Sequence, residues 1–295
     1  MGLFDGFKKG SKIKDSYEFY SQGKYQEALK CYDEILGMDP SYSKAWYGKG
    51  VVLGELGEYQ DALEAYDKAL NLNPTYAEVW YGKAVVLGEL GKYQDALKAY
   101  DKTLKLNPNF AEAWYNEGVI FGKLGKHEEE LNCYDKSLEL NPEDADTWYN
   151  NGVTLQQLKK YEEALKSYNR NLRLDQTNLN ALNNKGIVLK ELEKYEEALE
   201  CFDKVLELDP NKIEAIGNKG LTFKELGEFE KSLSCFNRLL GLDPNDRSGW
   251  YNKGLVLEKL GKHEEALKCF DKALKLDPDY ELAKKAKEEI LSSKS

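Results

Sequence analysis

The chain has 295 residues, a formal net charge of −10 and 32% charged residues. That acidic balance excludes a general nucleic-acid binder, which needs a basic stripe, and no apolar run approaches the ~20 residues of a membrane span. No basic start followed by an apolar stretch marks a secretory signal, and the cysteine count of five is odd, so reduced thiols and a cytoplasmic setting are expected.

Residues 1–14, MGLFDGFKKGSKIK, place Leu3, Phe4 and Phe7 before Lys8, Lys9, Lys12 and Lys14. Such a segment could form a surface-binding helix, but Gly2, Gly6 and Gly10 each weaken a helix by up to about 1 kcal/mol. A docked or frayed leader over residues 1–8 is the reading, without membrane contact. Gly6 also stands where a myristoylation signal needs Ser or Thr.

From residue 9 the scarce residues fall on a 34-residue grid. Pro40, Pro74, Pro108, Pro142, Pro210, Pro244 and Pro278 share it, with Gln176 on the missing rung. Trp46, Trp80, Trp114, Trp148 and Trp250 share it too, as do Cys31, Cys133, Cys201, Cys235 and Cys269. The period of an internal repeat decides architecture. Eight units follow: 9–42, 43–76, 77–110, 111–144, 145–178, 179–212, 213–246 and 247–280.

The second unit shows the construction. Trp46, Gly50, Leu53 and Leu56 form one apolar stripe of a helix predicted over 43–56. Gly57 ends it, as a residue tolerant of positive φ does. A second helix is predicted over 60–72, with Ala62, Leu63, Tyr66, Ala69, Leu70 and Leu72 on its stripe. Asn73-Pro74 closes the unit, because the residue before proline avoids the α region. The glycine recurs as Gly118, Gly152, Gly186, Gly220 and Gly254, with Ala84 once; helices that approach closely demand a residue that small. Tyr66 recurs as Tyr32, Tyr100, Tyr134, Tyr168, Phe202, Phe236 and Phe270.

Three places depart from the pattern. The first unit carries Lys12 for Trp and Ser16 for Gly. Around Gln176 the proline is lost, Leu182 replaces Trp, Asn183 replaces Tyr, and Asn171 stands where others have Ala69 or Ala273; drift or a softer, specialised joint between units five and six both fit. Residues 281–295 predict one more helix, read as a cap that shields the last unit.

Catalytic chemistry finds no foothold. His127 and His263 occupy the slot of Tyr25, Tyr59 and Tyr93, so they replace an aromatic at a helix start. Ala65 and Ala99 share the cysteine slot, which marks packing. Rungs roughly 8–10 Å apart are too distant for disulfides and cannot close a zinc site. No phosphate loop, Cys-x-x-Cys or nucleophile–base pair stands in a sensible context. No cofactor, no metal and no enzymatic activity are expected.

The face opposite the Trp stripe holds the candidate site. Its fifth slot gives Tyr47, Tyr81, Tyr115, Tyr149 and Tyr251, and its sixth gives Gly48 and Gly82, then Asn116, Asn150, Asn184, Asn218 and Asn252. The first half therefore has a tyrosine- and glycine-lined floor near Glu55, Glu78, Glu89 and Glu112. The second half has an asparagine ladder with Lys190, Lys224 and Lys259. Asparagine offers donor and acceptor, so a row of them can pair an extended peptide backbone; a purely local role for solubility is the alternative.

The pattern of Trp, Gly, Tyr, Ala, Tyr/Phe and Pro at a 34-residue period over residues 9–280 resembles the tetratricopeptide repeat family. The resemblance implies an all-α fold, a right-handed α-solenoid (superhelix) of tandem helix-turn-helix repeats with a concave groove lined by first helices. It implies a non-enzymatic scaffold that binds a protein or peptide. The asparagine ladder is similar to that of the repeat arm of protein O-linked N-acetylglucosamine transferases, without room for a glycosyltransferase domain. The lysine-asparagine clamp of the chaperone adaptors is not matched, since Ile13, Tyr47 or Tyr81 fill its first lysine slot and valines its first asparagine slot. Groove binding of an extended peptide or partner helix is the leading reading, and self-assembly through convex faces or superhelix ends is the alternative.

Overall fold

The computed structural model describes residues 3–292, with side chains from residue 11 onward. All regular structure among these residues is helical, and the chain divides into two compact units, 1–143 and 144–295. The first unit holds α1 (Leu3–Ser21), α2 (Tyr25–Met38), α3 (Ser43–Glu55), α4 (Tyr59–Leu72), α5 (Ala77–Glu89), α6 (Tyr93–Leu106), α7 (Ala111–Lys123) and α8 (His127–Leu140). The second holds α9 (Ala145–Gln157), α10 (Tyr161–Leu174), α11 (Leu179–Glu191), α12 (Tyr195–Leu208), α13 (Ile213–Glu225), α14 (Phe229–Leu242), α15 (Arg247–Lys259), α16 (His263–Leu276) and α17 (Glu281–Ser292). The division falls one repeat earlier than the irregular stretch around Gln176, where α10 still packs against α11. The backbone of α1 runs through the segment read as a leader; the side chains of Leu3, Phe4 and Phe7 lie outside the described residues.

Each helix pair is built by the same few contacts. Gly57 turns the chain at φ +77°, a conformation that costs glycine nothing and other residues about 1–2 kcal/mol. Repeats five and six have no glycine there, and Lys159 and Glu193 adopt φ +58° and +59°. The second-helix aromatic then lies on the first-helix glycine. A Cβ on Gly186 would stand 2.6 Å from the Phe202 ring, and one on Gly254 would stand 2.4 Å from Phe270. These rings are among the largest fully buried groups of the described residues, so the glycine column is a packing requirement.

The interrepeat turn explains the Asn/Asp-Pro pairs. The Asn73 Oδ1 accepts the Thr75 backbone N–H at 3.2 Å, and the Asp243 Oδ1 accepts that of Asn245 at 2.9 Å. Asp175 keeps this bond, to Thr177 N–H at 2.9 Å, so the turn survives the replacement of proline by Gln176; such side-chain acceptors substitute for the backbone in turns. The tryptophan locks onto the same turn. The Nε1–H groups of Trp46, Trp80, Trp114 and Trp250 donate to the carbonyls of Pro40, Pro74, Pro108 and Pro244 at 2.9–3.0 Å.

Two buried details mark the irregular repeat. Asn171 is fully buried and donates Nδ2–H to the Ala145 carbonyl at 2.8 Å, while its Oδ1 is buried without a partner. At the end of the chain Ala283, Ala286 and Ile290 of α17 are buried, and Ala286 and Ile290 join a cluster with Leu257 and Phe270.

Candidate functional site

Within each unit the first helices of successive repeats pack beside one another, and at three junctions residues 35 apart meet. The Asn116 Nδ2–H donates to the Tyr81 hydroxyl at 2.8 Å. The Asn184 Nδ2–H reaches the Tyr149 hydroxyl at 3.4 Å. The Asn218 Nδ2–H donates to Asn183 Oδ1 at 3.1 Å, so Asn183 supplies the acceptor that tyrosine supplies elsewhere. The ladder is therefore partly spent on holding neighbouring repeats together. Its donors are engaged, and the side-chain carbonyls of Asn116, Asn184 and Asn218 keep acceptor capacity. Asn252 turns back on its own helix, to the Ser248 carbonyl at 2.9 Å. Asn150 is also engaged.

The tyrosines of the fifth slot are half-buried packing groups with polar tips. Tyr47 lies 6.3 Å from Tyr66 and 5.3 Å from Tyr76 between ring centroids, and burial pushes its hydroxyl up to about 12. Tyr81 lies 4.8 Å from Phe110, Tyr115 5.7 Å from Tyr134 and Tyr149 6.3 Å from Tyr168. Tyr251 sits between Phe270 at 6.0 Å and Tyr280 at 5.4 Å. Such tilted pairs stabilise the stack beyond simple burial.

The glycine floor of the first half is not open. A Cβ on Gly48 would stand 2.3 Å from the Tyr32 ring, and one on Gly82 would stand 2.8 Å from the Tyr66 ring. These glycines make room for the preceding repeat's tyrosine rather than for a ligand. Later repeats instead carry asparagine in that slot. Of the charged groups near the face, Lys190 pairs with its neighbour Glu191 and Lys224 with Glu225.

His127 has a structural partner. Its Nδ1 lies 2.9 Å from Glu130 Oε2, and the Tyr134 hydroxyl donates to Glu130 Oε1 at 3.2 Å. The Glu130 carboxylate fills the space over Gly122. Among the described residues no three His, Cys, Asp or Glu side chains come together as a metal site, and no helix is long and apolar enough to cross a membrane.

Sequence reasoning passed over Glu117. Its slot is lysine in most repeats, and Lys49, Lys83 and Lys219 pair with Asp33, Asp67 and Asp203 of the preceding second helix. Glu117 breaks that column and faces Asp101 instead. It is 9% exposed, and the Cys133 Sγ–H donates to its Oε2 at 3.6 Å. Burial, opposed by the thiol and reinforced by Asp101, pushes its carboxyl up to about 7. Burial and the Glu117 charge push the Cys133 thiol well above its usual range. The available signal was an acid in a slot that holds lysine in five of the eight repeats.

Tetratricopeptide repeat models match residues 77–110, 111–144, 145–178, 179–212 and 248–280, with further matches at 16–77 and 213–246. The chain belongs to the tetratricopeptide repeat family. Repeats of this kind build protein-interaction scaffolds. No curated protein matches its sequence significantly. Among solved structures it is similar to YrrB, a tetratricopeptide repeat protein with an unusual peptide-binding site. The two are 29% identical over 65% of this chain and 99% of YrrB, at a TM-score of 0.55. It shares its fold with MamA of Desulfovibrio magneticus RS-1, at 23% identity, 58% and 96% coverage and a TM-score of 0.55. The Cut9–Hcn1 complex shares the fold at 19% identity and a TM-score of 0.56, with 95% of this chain spanning 55% of that one.

Proposed function

We propose that this tetratricopeptide repeat protein is a non-enzymatic scaffold that holds an extended peptide along its first-helix face. The observation that carries the reading is the one-sided engagement of the asparagines. Asn184 and Asn218 each spend an Nδ2–H on the neighbouring repeat, and their amide oxygens, one repeat apart in sequence, keep acceptor capacity. Oriented acceptors of this kind suit the N–H groups of an extended backbone, and the anchored amide loses little freedom on binding. The likeness to YrrB, a peptide-binding relative in fold and sequence, supports the same use.

Peptides selected by display against the full chain provide the test. Asn184→Ala with Asn218→Ala removes two acceptors, and at about 0.5–1.5 kcal/mol per hydrogen bond the affinity should fall by roughly 5- to 150-fold. Tyr149→Phe removes the anchor of Asn184 and no acceptor toward the peptide, so it should weaken binding less than the double variant. Equal affinity of the double variant and wild type, with helicity intact, would remove the ladder from the mechanism. One observation favours self-assembly as a second reading. The ends of the second helices carry Met38, Leu72, Leu106, Leu140, Leu174, Leu208, Leu242 and Leu276, each 38–51% exposed. Light scattering over a concentration series separates the two, since a monomer at all concentrations rules out this alternative.

A further inference from the structure

A large groove lies away from the first-helix face, in the second unit, where α10, α11 and α12 meet. Its volume is about 840 Å³, and Leu172, Gln176, Leu182, Lys185, Cys201 and Lys204 are among its walls. Equivalent grooves floored by Trp46, Trp80 and Trp114 measure about 300, 450 and 390 Å³. The difference comes from Leu182, which stands where those repeats place an indole.

The surroundings of the absent indole are nevertheless intact. Around Trp46 the ring has Lys68 Nζ at 4.4 Å from its centroid and Lys49 Nζ at 5.7 Å. Trp80 and Trp250 have Lys83 at 5.7 Å and Lys253 at 5.2 Å. Each of the three indoles donates to the carbonyl six residues earlier. In repeat six the corresponding groups are Lys204, Lys185 and the Gln176 carbonyl. Lys185 faces Asn169 in place of the aspartate that pairs its counterparts Lys49 and Lys83, and it makes no ion pair among the described residues. Repeat seven lacks tryptophan as well, with Ile216 in the slot, yet Arg238 donates to the Pro210 carbonyl and occupies that acceptor. Repeat six has lysine at the arginine's position, and no described group donates to the Gln176 carbonyl.

From this we infer that the groove of repeat six is a docking site for a tryptophan side chain of a partner polypeptide. The indole seats over Leu182 and Leu172, its N–H donates to the Gln176 carbonyl, and Lys185 and Lys204 lie against its face. Cation–π contact with two lysines adds to burial, and the carbonyl supplies the hydrogen bond that distinguishes an indole from an aliphatic group. The resident indoles of the sister repeats set the geometry. This site stands independently of the first-helix face, so either can fail without the other.

N-acetyl-tryptophanamide is the probe, titrated into the full ¹⁵N-labelled chain. Saturable shifts should appear at amides of residues 169–207, with a dissociation constant on the order of millimolar and N-acetyl-leucinamide binding at least about tenfold more weakly. Leu182→Trp should fill the groove, abolish the shifts and raise the melting temperature, whereas Ile216→Trp should leave binding unchanged. The wild-type shift map decides the matter even if Leu182→Trp fails to fold. No saturable shifts, shifts centred elsewhere, equal binding of the leucine analogue, or undiminished binding to folded Leu182→Trp would each overturn the assignment.

Discussion

Glu117→Gln isolates a buried ionisation. The substitution keeps the shape of the side chain between Asp101, Trp114 and Cys133 and removes only its ability to carry charge. In the folded chain the carboxyl is raised from 4.5 to about 7, so the folded state holds this proton more tightly than the unfolded state does. Its stabilising contribution is complete below pH 4.5 and is lost as pH rises through 7. At 1.36 kcal/mol per tenfold change in proton affinity, the loss amounts to about 3 kcal/mol at pH 8. Wild type and variant share every other carboxylate, so the difference between their urea-unfolding free energies cancels the rest of the acid titration. The two should be close in stability near pH 4.5 and diverge through pH 5–7.5, with the variant more stable by about 3 kcal/mol at pH 8. A difference that stays constant across that range would show that Glu117 ionises normally and that the reasoning is wrong.

Further outcomes follow from particular contacts. Lys159→Gly and Glu193→Gly should each raise the urea-unfolding free energy by about 1 kcal/mol, because both residues hold φ near +60°; unchanged unfolding midpoints would remove the strain. Asn171→Val places the side chain of Val205's slot where an amide carbonyl is buried unsatisfied, and should stabilise by about 1 kcal/mol in calorimetry. Removing residues 281–295 uncovers Leu257 and Phe270 beside Ala286 and Ile290, so the shortened chain should melt earlier or aggregate; a monodisperse monomer with an unchanged melting temperature would show that α17 is no cap. Hydrogen exchange should open the junction of Asn171 and Leu182 before the region of Trp80, since nearest-neighbour terms dominate such arrays, and uniform protection would count against a weak junction there.

The helices were legible because each is written locally. The stripe predicted over 43–56 appears as Ser43–Glu55, and the one over 60–72 as Tyr59–Leu72. Gly57 adopts the positive φ its position called for, and Asn73 before Pro74 is extended at φ −143°, ψ 89°. Repetition made the signal strong, since an amphipathic stripe at one position recurs at seven others. The face carrying Tyr81, Asn116, Tyr149 and Asn184 was also legible as a face, because helical periodicity alone puts those slots together.

What the amino-acid sequence determined, then, is the identity of the repeat, the helix pair and the choice of stripe, all of which depend on residues within a few turns of one another. Contacts between repeats were decided only by the tertiary structure. Gly48 and Gly82 read as an open floor until the Tyr32 and Tyr66 rings occupied it, and the asparagines read as free amides until Asn116 and Asn184 met tyrosines of the preceding repeat. The charge state of Glu117 and the space left by Leu182 belong to the same class. Each depends on how closely neighbouring helices approach and what their side chains displace, and a distance between packed surfaces is set by the rigid fit of many groups at once rather than by any stretch of sequence.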